Sequence, residues 1–169
     1  MNKLTYIIIT LILIVSPSFG QKYKTIKNLS GEWKFSIGDQ EEWKQESYND
    51  SEWDKIRVPG AWEDQGYHGY DGFAWYRKTV QFPNELKSAN LYLELGYIDD
   101  VDEVFVNGEL IGSSGSFHPQ MITAYMKKRV YSIPSHLVQA DQLVISVRTF
   151  DSHMKGGIVK GNIRLLTDL

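Results

Sequence analysis

Beyond its first twenty residues the chain alternates apolar and polar side chains with a period of two, and nowhere does it carry the three-to-four spacing of a long amphipathic helix. Successive side chains of a strand point to opposite faces, so this pattern specifies half-buried strands. In residues 31–37, Trp33, Phe35 and Ile37 are expected to face inward, with Glu32, Lys34 and Ser36 in solvent. Further strands are predicted over 74–82, 90–95, 128–133, 142–150 and 162–166, with a brief extended segment at 56–59 and a short helical turn at 134–138. The sharpest local signal is Val104-Phe105-Val106-Asn107-Gly108-Glu109-Leu110-Ile111. Asn-Gly readily takes the positive φ angles that a two-residue type I′ hairpin requires, so a tight hairpin is predicted there. Eight or nine short strands with long loops suit two packed sheets that share one core. The fold class is therefore all-β, a jelly-roll β-sandwich, with an immunoglobulin-type sandwich as the alternative.

Residues 1–20 read differently. Lys3 precedes an apolar run from Tyr6 to Val15, and Ser16-Pro17-Ser18-Phe19-Gly20 closes the segment. That is the layout of a cleavable signal peptide, and the run is about half the ~20 residues a membrane-spanning helix needs. Residues 21–169 are then one domain, secreted or periplasmic, with no membrane association after cleavage. The chain has no Cys, so an exported domain of this kind must be held by its apolar core, which fits a bacterial periplasm or exterior. A formal charge of −3 gives no electrostatic footprint for nucleic acid.

The loops carry the candidate chemistry. The polar stretch 38–55 is expected to be pinned by Trp43, Tyr48 and Trp53, and 61–72 reads as a structured surface loop. Loops 61–72, 112–120 and 152–157 are expected to converge at one end of the sandwich. There Trp62, Tyr67, His68, Tyr70 and Phe73 could offer a stacking face for a sugar ring, with Asp64, Asp71 and Gln120 hydrogen-bonding hydroxyls. The competing reading is a loop cemented by its own aromatic rings. Asp99, Asp100, Asp102 and Glu103 form an acidic cluster of a kind that attracts Ca²⁺, but the EF-hand spacing is missing. On a continuous strand Asp100 and Asp102 would share one face while Asp99 and Glu103 take the other, so a solvated or loop-pinning role is expected. The four His are widely separated and make no zinc spacing. Gly112-Ser113-Ser114-Gly115 lacks the final Gly of a nucleophile elbow, since position 116 is Ser116. No catalytic residue, metal or cofactor is assigned.

Four segments in order carry a resemblance: Leu29-Ser30-Gly31-Glu32-Trp33-Lys34-Phe35, the stretch from Ser51 through Val58-Pro59-Gly60-Ala61-Trp62, Gly72-Phe73-Ala74-Trp75-Tyr76-Arg77-Lys78, and the stretch from Ile98 to Gly108. Together they resemble the galactose-binding-like, sugar-binding jelly roll of family 2 glycoside hydrolases. The later part, with Phe150-Asp151-Ser152-His153-Met154-Lys155-Gly156-Gly157-Ile158, is also similar to the jelly roll of bacterial sialate O-acetylesterases. In both families the resemblance implies that catalytic residues lie in another domain, so it points to a secreted non-catalytic carbohydrate-binding or accessory module. Its partner would be an oligo- or polysaccharide. The alternatives are a protein-docking or structural jelly roll with a protein partner, or a fragment of a larger hydrolase of β-galactosidase or β-glucuronidase type. Some family 2 β-galactosidases send an Asp from the loop after the hairpin to the sugar, but residues 113–119 here contain no acid.

Overall fold

The computed structural model describes residues 22–81, 86–117, 119–139 and 141–169, so the export segment expected at 1–20 lies outside the described residues. In chain order the strands are β1 (Tyr23–Asn28), β2 (Gly31–Ile37), β3 (Asp54–Val58), β4 (Gly72–Gln81), β5 (Leu91–Ile98), β6 (Val101–Val106), β7 (Glu109–Ser114), β8 (Lys128–Ile133), β9 (Gln142–Asp151) and β10 (Ile158–Asp168). Two antiparallel sheets face each other, one ordered β1-β10-β5-β8 and the other β3-β2-β4-β9-β6-β7. This is the jelly-roll sandwich that the alternation specifies.

The inner faces follow the pleat. Leu91, Leu93 and Leu95 on β5 and Leu143, Ile145 and Val147 on β9 are all fully buried, and they join Trp33, Phe35 and Tyr76 in one core between the sheets. Each such aliphatic side chain contributes about 1.5–3 kcal/mol by leaving water. The hairpin forms as predicted, with φ of 50° at Asn107 and 86° at Gly108. The Asn107 side chain also ties the turn down: its Oδ1 accepts the Val144 N–H at 2.8 Å and its Nδ2 donates to the Leu137 carbonyl at 3.2 Å.

One expectation needs correction, and one strand carries no signal in the sequence. Ile37 is 42% exposed, because it ends β2 opposite the small Ala74 and the chain turns away at Gly38, whose φ is +100°. The edge strand β1 was not predicted; its sequence, YKTIKN, has no period-two burial and it pairs with β10.

The outer face of the six-stranded sheet is also covered. Trp43 in the loop after β2 packs with Trp75 of β4 and Phe105 of β6, flanked by Tyr48 and Trp53. Arg77, buried on that face, holds the loop in place: its guanidinium donates to the carbonyls of Trp43 at 2.5 Å and Gln45 at 3.1 Å, to Asp50 at 2.9 Å and to the Ser146 hydroxyl at 3.0 Å. A planar fork with five donors is suited to such a multi-acceptor site.

Candidate functional site at the loop end

Four connections meet at one end of the sandwich. The Gly60 N–H donates to the Ile158 carbonyl at 2.9 Å, Trp62 to Gly156 at 3.3 Å, Asp99 to Gly157 at 2.9 Å, and Ala124 to Asp100 at 2.8 Å. Glycine is required where they touch. A Cβ at Gly156 would lie 2.1 Å from the Trp62 ring, and one at Gly157 2.1 Å from the Tyr76 hydroxyl. The convergence expected of loops 61–72 and 152–157 therefore occurs, through backbone bonds and glycine contacts.

The residues expected to form a stacking face are mostly committed elsewhere. Trp62 is fully buried, its ring against Phe35 and Tyr70 and its indole N–H donating to the Tyr70 carbonyl at 3.1 Å. It is a core residue, which corrects its assignment as a stacking surface. Tyr67 sets its ring against Phe35 at 4.8 Å and donates its hydroxyl to Asp54 at 2.5 Å; burial, reinforced by Asp54, pushes that phenol far above its usual range. Tyr70 donates to the Phe73 carbonyl at 2.7 Å and accepts the Gly38 N–H at 3.3 Å. Phe73 is half-buried and stacks on Phe117 at 5.5 Å, with the Arg148 guanidinium 4.5 Å from both ring centroids. Arg148 in turn forks onto Asp39 at 2.8 and 2.5 Å and reaches Glu103 at 2.9 Å. Asp64 is exposed and paired with Lys155 at 2.6 Å. His68, Asp71 and Gln120 are exposed.

The acidic cluster splits in two. Asp102 points between the sheets, where Oδ1 accepts from Arg129 at 2.7 Å and Oδ2 from the Tyr131 hydroxyl at 2.5 Å; both Asp102 and Arg129 have no exposed surface. Glu103 faces outward to Arg148, so the predicted opposition of these neighbours is correct. The prediction fails for Asp99 and Asp100. β6 begins only at Val101, and Asp100 adopts a left-handed turn with φ of 56°, so strand parity does not extend to them. Both carboxylates instead meet Asp151 at the end of β9, one oxygen of each lying within 4.8 Å of the others. Burial of Asp100 opposes its ionisation, yet hydrogen bonds from Thr123 and from Ser152 hold it below the usual carboxylate range. Burial raises Asp99, and burial followed by the charge of Asp99 pushes Asp151 up to about 7. Asp151 was missed from sequence because its partners are some fifty residues away along the chain.

Chemically, this end offers hydrogen-bonding groups and a compact cluster of three carboxylates, two of them buried. The Ser152 hydroxyl lies 2.7 Å from Asp100 Oδ2, to which it donates, and 2.8 Å from His153 Nδ1. Gly112-Ser113-Ser114 belongs to β7, with Ser114 buried against the Tyr131 hydroxyl at 2.7 Å, so this segment is a strand and not a strained elbow.

No family model matches the chain. Two proteins of Formosa agariphila named for β-glucuronidase are similar to it, at 30% identity over 118 residues and 27% over 104, or 63% and 54% of this chain. A β-galactosidase of Vibrio vulnificus is 44% identical over 46 residues, 24% of this chain and 4% of that protein. The chain spans 11% of the length of each Formosa agariphila relative. Among solved structures, a β-glucuronidase from glycoside hydrolase family 2 superposes with a TM-score of 0.71 at 19% identity, covering 88% of this chain and 18% of that one. The β-glucuronidase of Ruminococcus gnavus superposes at 0.68 with 15% identity, covering 91% of this chain and 30% of that one. At these identities the superpositions establish the shared jelly roll alone.

Proposed function

We propose that this relative of the family 2 glycoside hydrolases is a non-catalytic accessory module of a carbohydrate-degrading system. In this reading its loop end docks onto the catalytic part of a β-glucuronidase or β-galactosidase type of enzyme. The surface of that end carries the reading. The rings on which a sugar would stack are largely spent on packing, whereas the connection between β7 and β8 turns Ile122, Tyr125 and Met126 outward at 65%, 54% and 74% exposure. Exposed apolar side chains beside polar ones are the make-up of a protein contact. The names of the relatives supply the proposed substrate class of the assembly, β-glucuronides or β-galactosides. Export through residues 1–20 is part of the same proposal. A second reading, direct sugar binding, draws on exposed His68, Asp71 and Gln120.

The purified chain is tested by sedimentation velocity against the catalytic region of a family 2 β-glucuronidase freed of its own jelly roll, and by calorimetry against β-glucuronides and β-galactosides. The docking reading expects a complex that Tyr125→Asp with Met126→Asp abolishes, and no turnover of a chromogenic β-glucuronide by the chain alone. Saturable sugar binding without any complex would overturn docking in favour of a lectin-like role, and turnover by the chain would overturn both.

A further inference from the structure

We propose that Asp99, Asp100 and Asp151 form a calcium site that joins the turn between β5 and β6 to the end of β9. The donor set suits the ion. Ca²⁺ takes six to eight oxygen ligands in a flexible arrangement, whereas Mg²⁺ holds on to several of its waters and seldom occupies a cage of protein carboxylates. The three carboxylate oxygens lie within 4.8 Å of one another, close enough to share one cation.

Each carboxylate is already oriented through one oxygen. Asp99 Oδ1 accepts the Asp100 N–H at 3.0 Å, Asp100 Oδ2 accepts the Ser152 N–H at 2.9 Å and its hydroxyl at 2.7 Å, and Asp151 Oδ1 accepts the His153 N–H at 3.4 Å. The other Asp151 oxygen points independently to a ligand. Asp151 is fully buried, and its Oδ2 has no hydrogen-bond partner. Its side chain leaves β9 on the inward face, beside the Asp99-Asp100 turn, since its neighbour Phe150 pairs with Val101. Buried carboxylate oxygens are almost always satisfied, and an orphan next to two like charges calls for a cation. Among the described residues no Lys or Arg side chain forms an ion pair with any of the three carboxylates. Arg129 meets Asp100 only at its backbone carbonyl, at 3.2 Å, and gives its Nε to Asp102. Glu63, whose carboxylate accepts the Gly156 N–H at 3.0 and 3.1 Å, adds further negative charge nearby. Water would complete the coordination, as hard cations allow.

An ion here would brace three loops at once, because Asp100 also accepts the Ala124 N–H and the Ser152 N–H. The purified chain, stripped with a chelator, is titrated with calcium chloride by calorimetry and melted with calcium, magnesium or chelator present. The expected result is one calcium per chain, a higher melting temperature in millimolar calcium, and a smaller response to magnesium. Asp151→Asn is expected to weaken calcium binding about tenfold or more, as loss of a ligand does, without lowering the melting temperature in chelator. Asp141→Asn, on the exposed Lys87 pair, leaves calcium binding unchanged. If Asp151→Asn does not fold, Asp99→Asn gives the same readout. A folded wild-type chain that shows neither binding heat nor a thermal shift overturns the proposal, as does an Asp151→Asn or Asp99→Asn protein that keeps wild-type affinity.

Discussion

Asp102 and Asp151 stand on the paired strands β6 and β9, close to the same end of the sandwich and both without exposed surface, yet their surroundings are opposite in sign. Asp102 meets a buried guanidinium and a phenol that reach it from β8 across the sandwich. Asp151 meets two further carboxylates and has one oxygen with no partner. The first arrangement makes a carboxylate part of the fold. The second leaves a buried carboxyl oxygen that no described group satisfies, and the contrast shows that burial alone does not make a carboxyl group part of the fold.

The sharpest way to break the contrast is to turn Asp102 into a second Asp151. Arg129→Met removes the counter-ion and leaves a buried, uncompensated carboxylate, so a loss of about 3–5 kcal/mol is expected, read as a shift of the urea midpoint. Tyr131→Phe takes away one hydrogen bond from Asp102 and one from Ser114, with an expected loss of about 1–3 kcal/mol in the same measurement. The reverse experiment, Asp151→Asn in chelator near neutral pH, removes a like-charge repulsion and should raise stability by about 1 kcal/mol, visible as a higher melting temperature. A partly exposed acid gives the smallest effect. Burial works against ionisation of Asp39, but hydrogen bonds from Arg148 and Trp75 hold its carboxyl below its ordinary value. Its contribution is therefore present above that value and is lost as pH falls through the lower folded value. Asp39→Asn should make the acid side of the stability profile shallower while leaving the neutral region nearly unchanged, as circular dichroism melts across pH would record.

Much of the sandwich is legible in the sequence because one buried face imposes its period on the string. β2 spans 31–37 and β8 spans 128–133, as the alternation predicts, and the Asn107-Gly108 turn is set by two residues whose backbone preferences are local. β1 is not legible, since an edge strand with little burial carries no alternation. The loop end is legible only in part. Local sequence marks Trp62, Tyr67 and Tyr70 as aromatic and loop-borne, but whether a ring stacks on a ligand or on Phe35 depends on a strand remote in the chain. The convergence of Asp151 with Asp99 and Asp100 is a product of strand pairing, and extrapolating strand parity through a turn hides it.

The clamp around Arg77 bears on how the molecule tolerates being cut or lengthened. Because three carbonyls and an aspartate of the segment before β3 are bound to one buried side chain, a stretch with little regular structure and mostly exposed residues is nevertheless tied to the sheet. A protease or an inserted tag would meet resistance there, and would find its opening first in residues 119–127, where the chain turns its apolar side chains outward. Domain grafting should follow the same rule, treating the 38–53 segment as inseparable from the sheet beneath it.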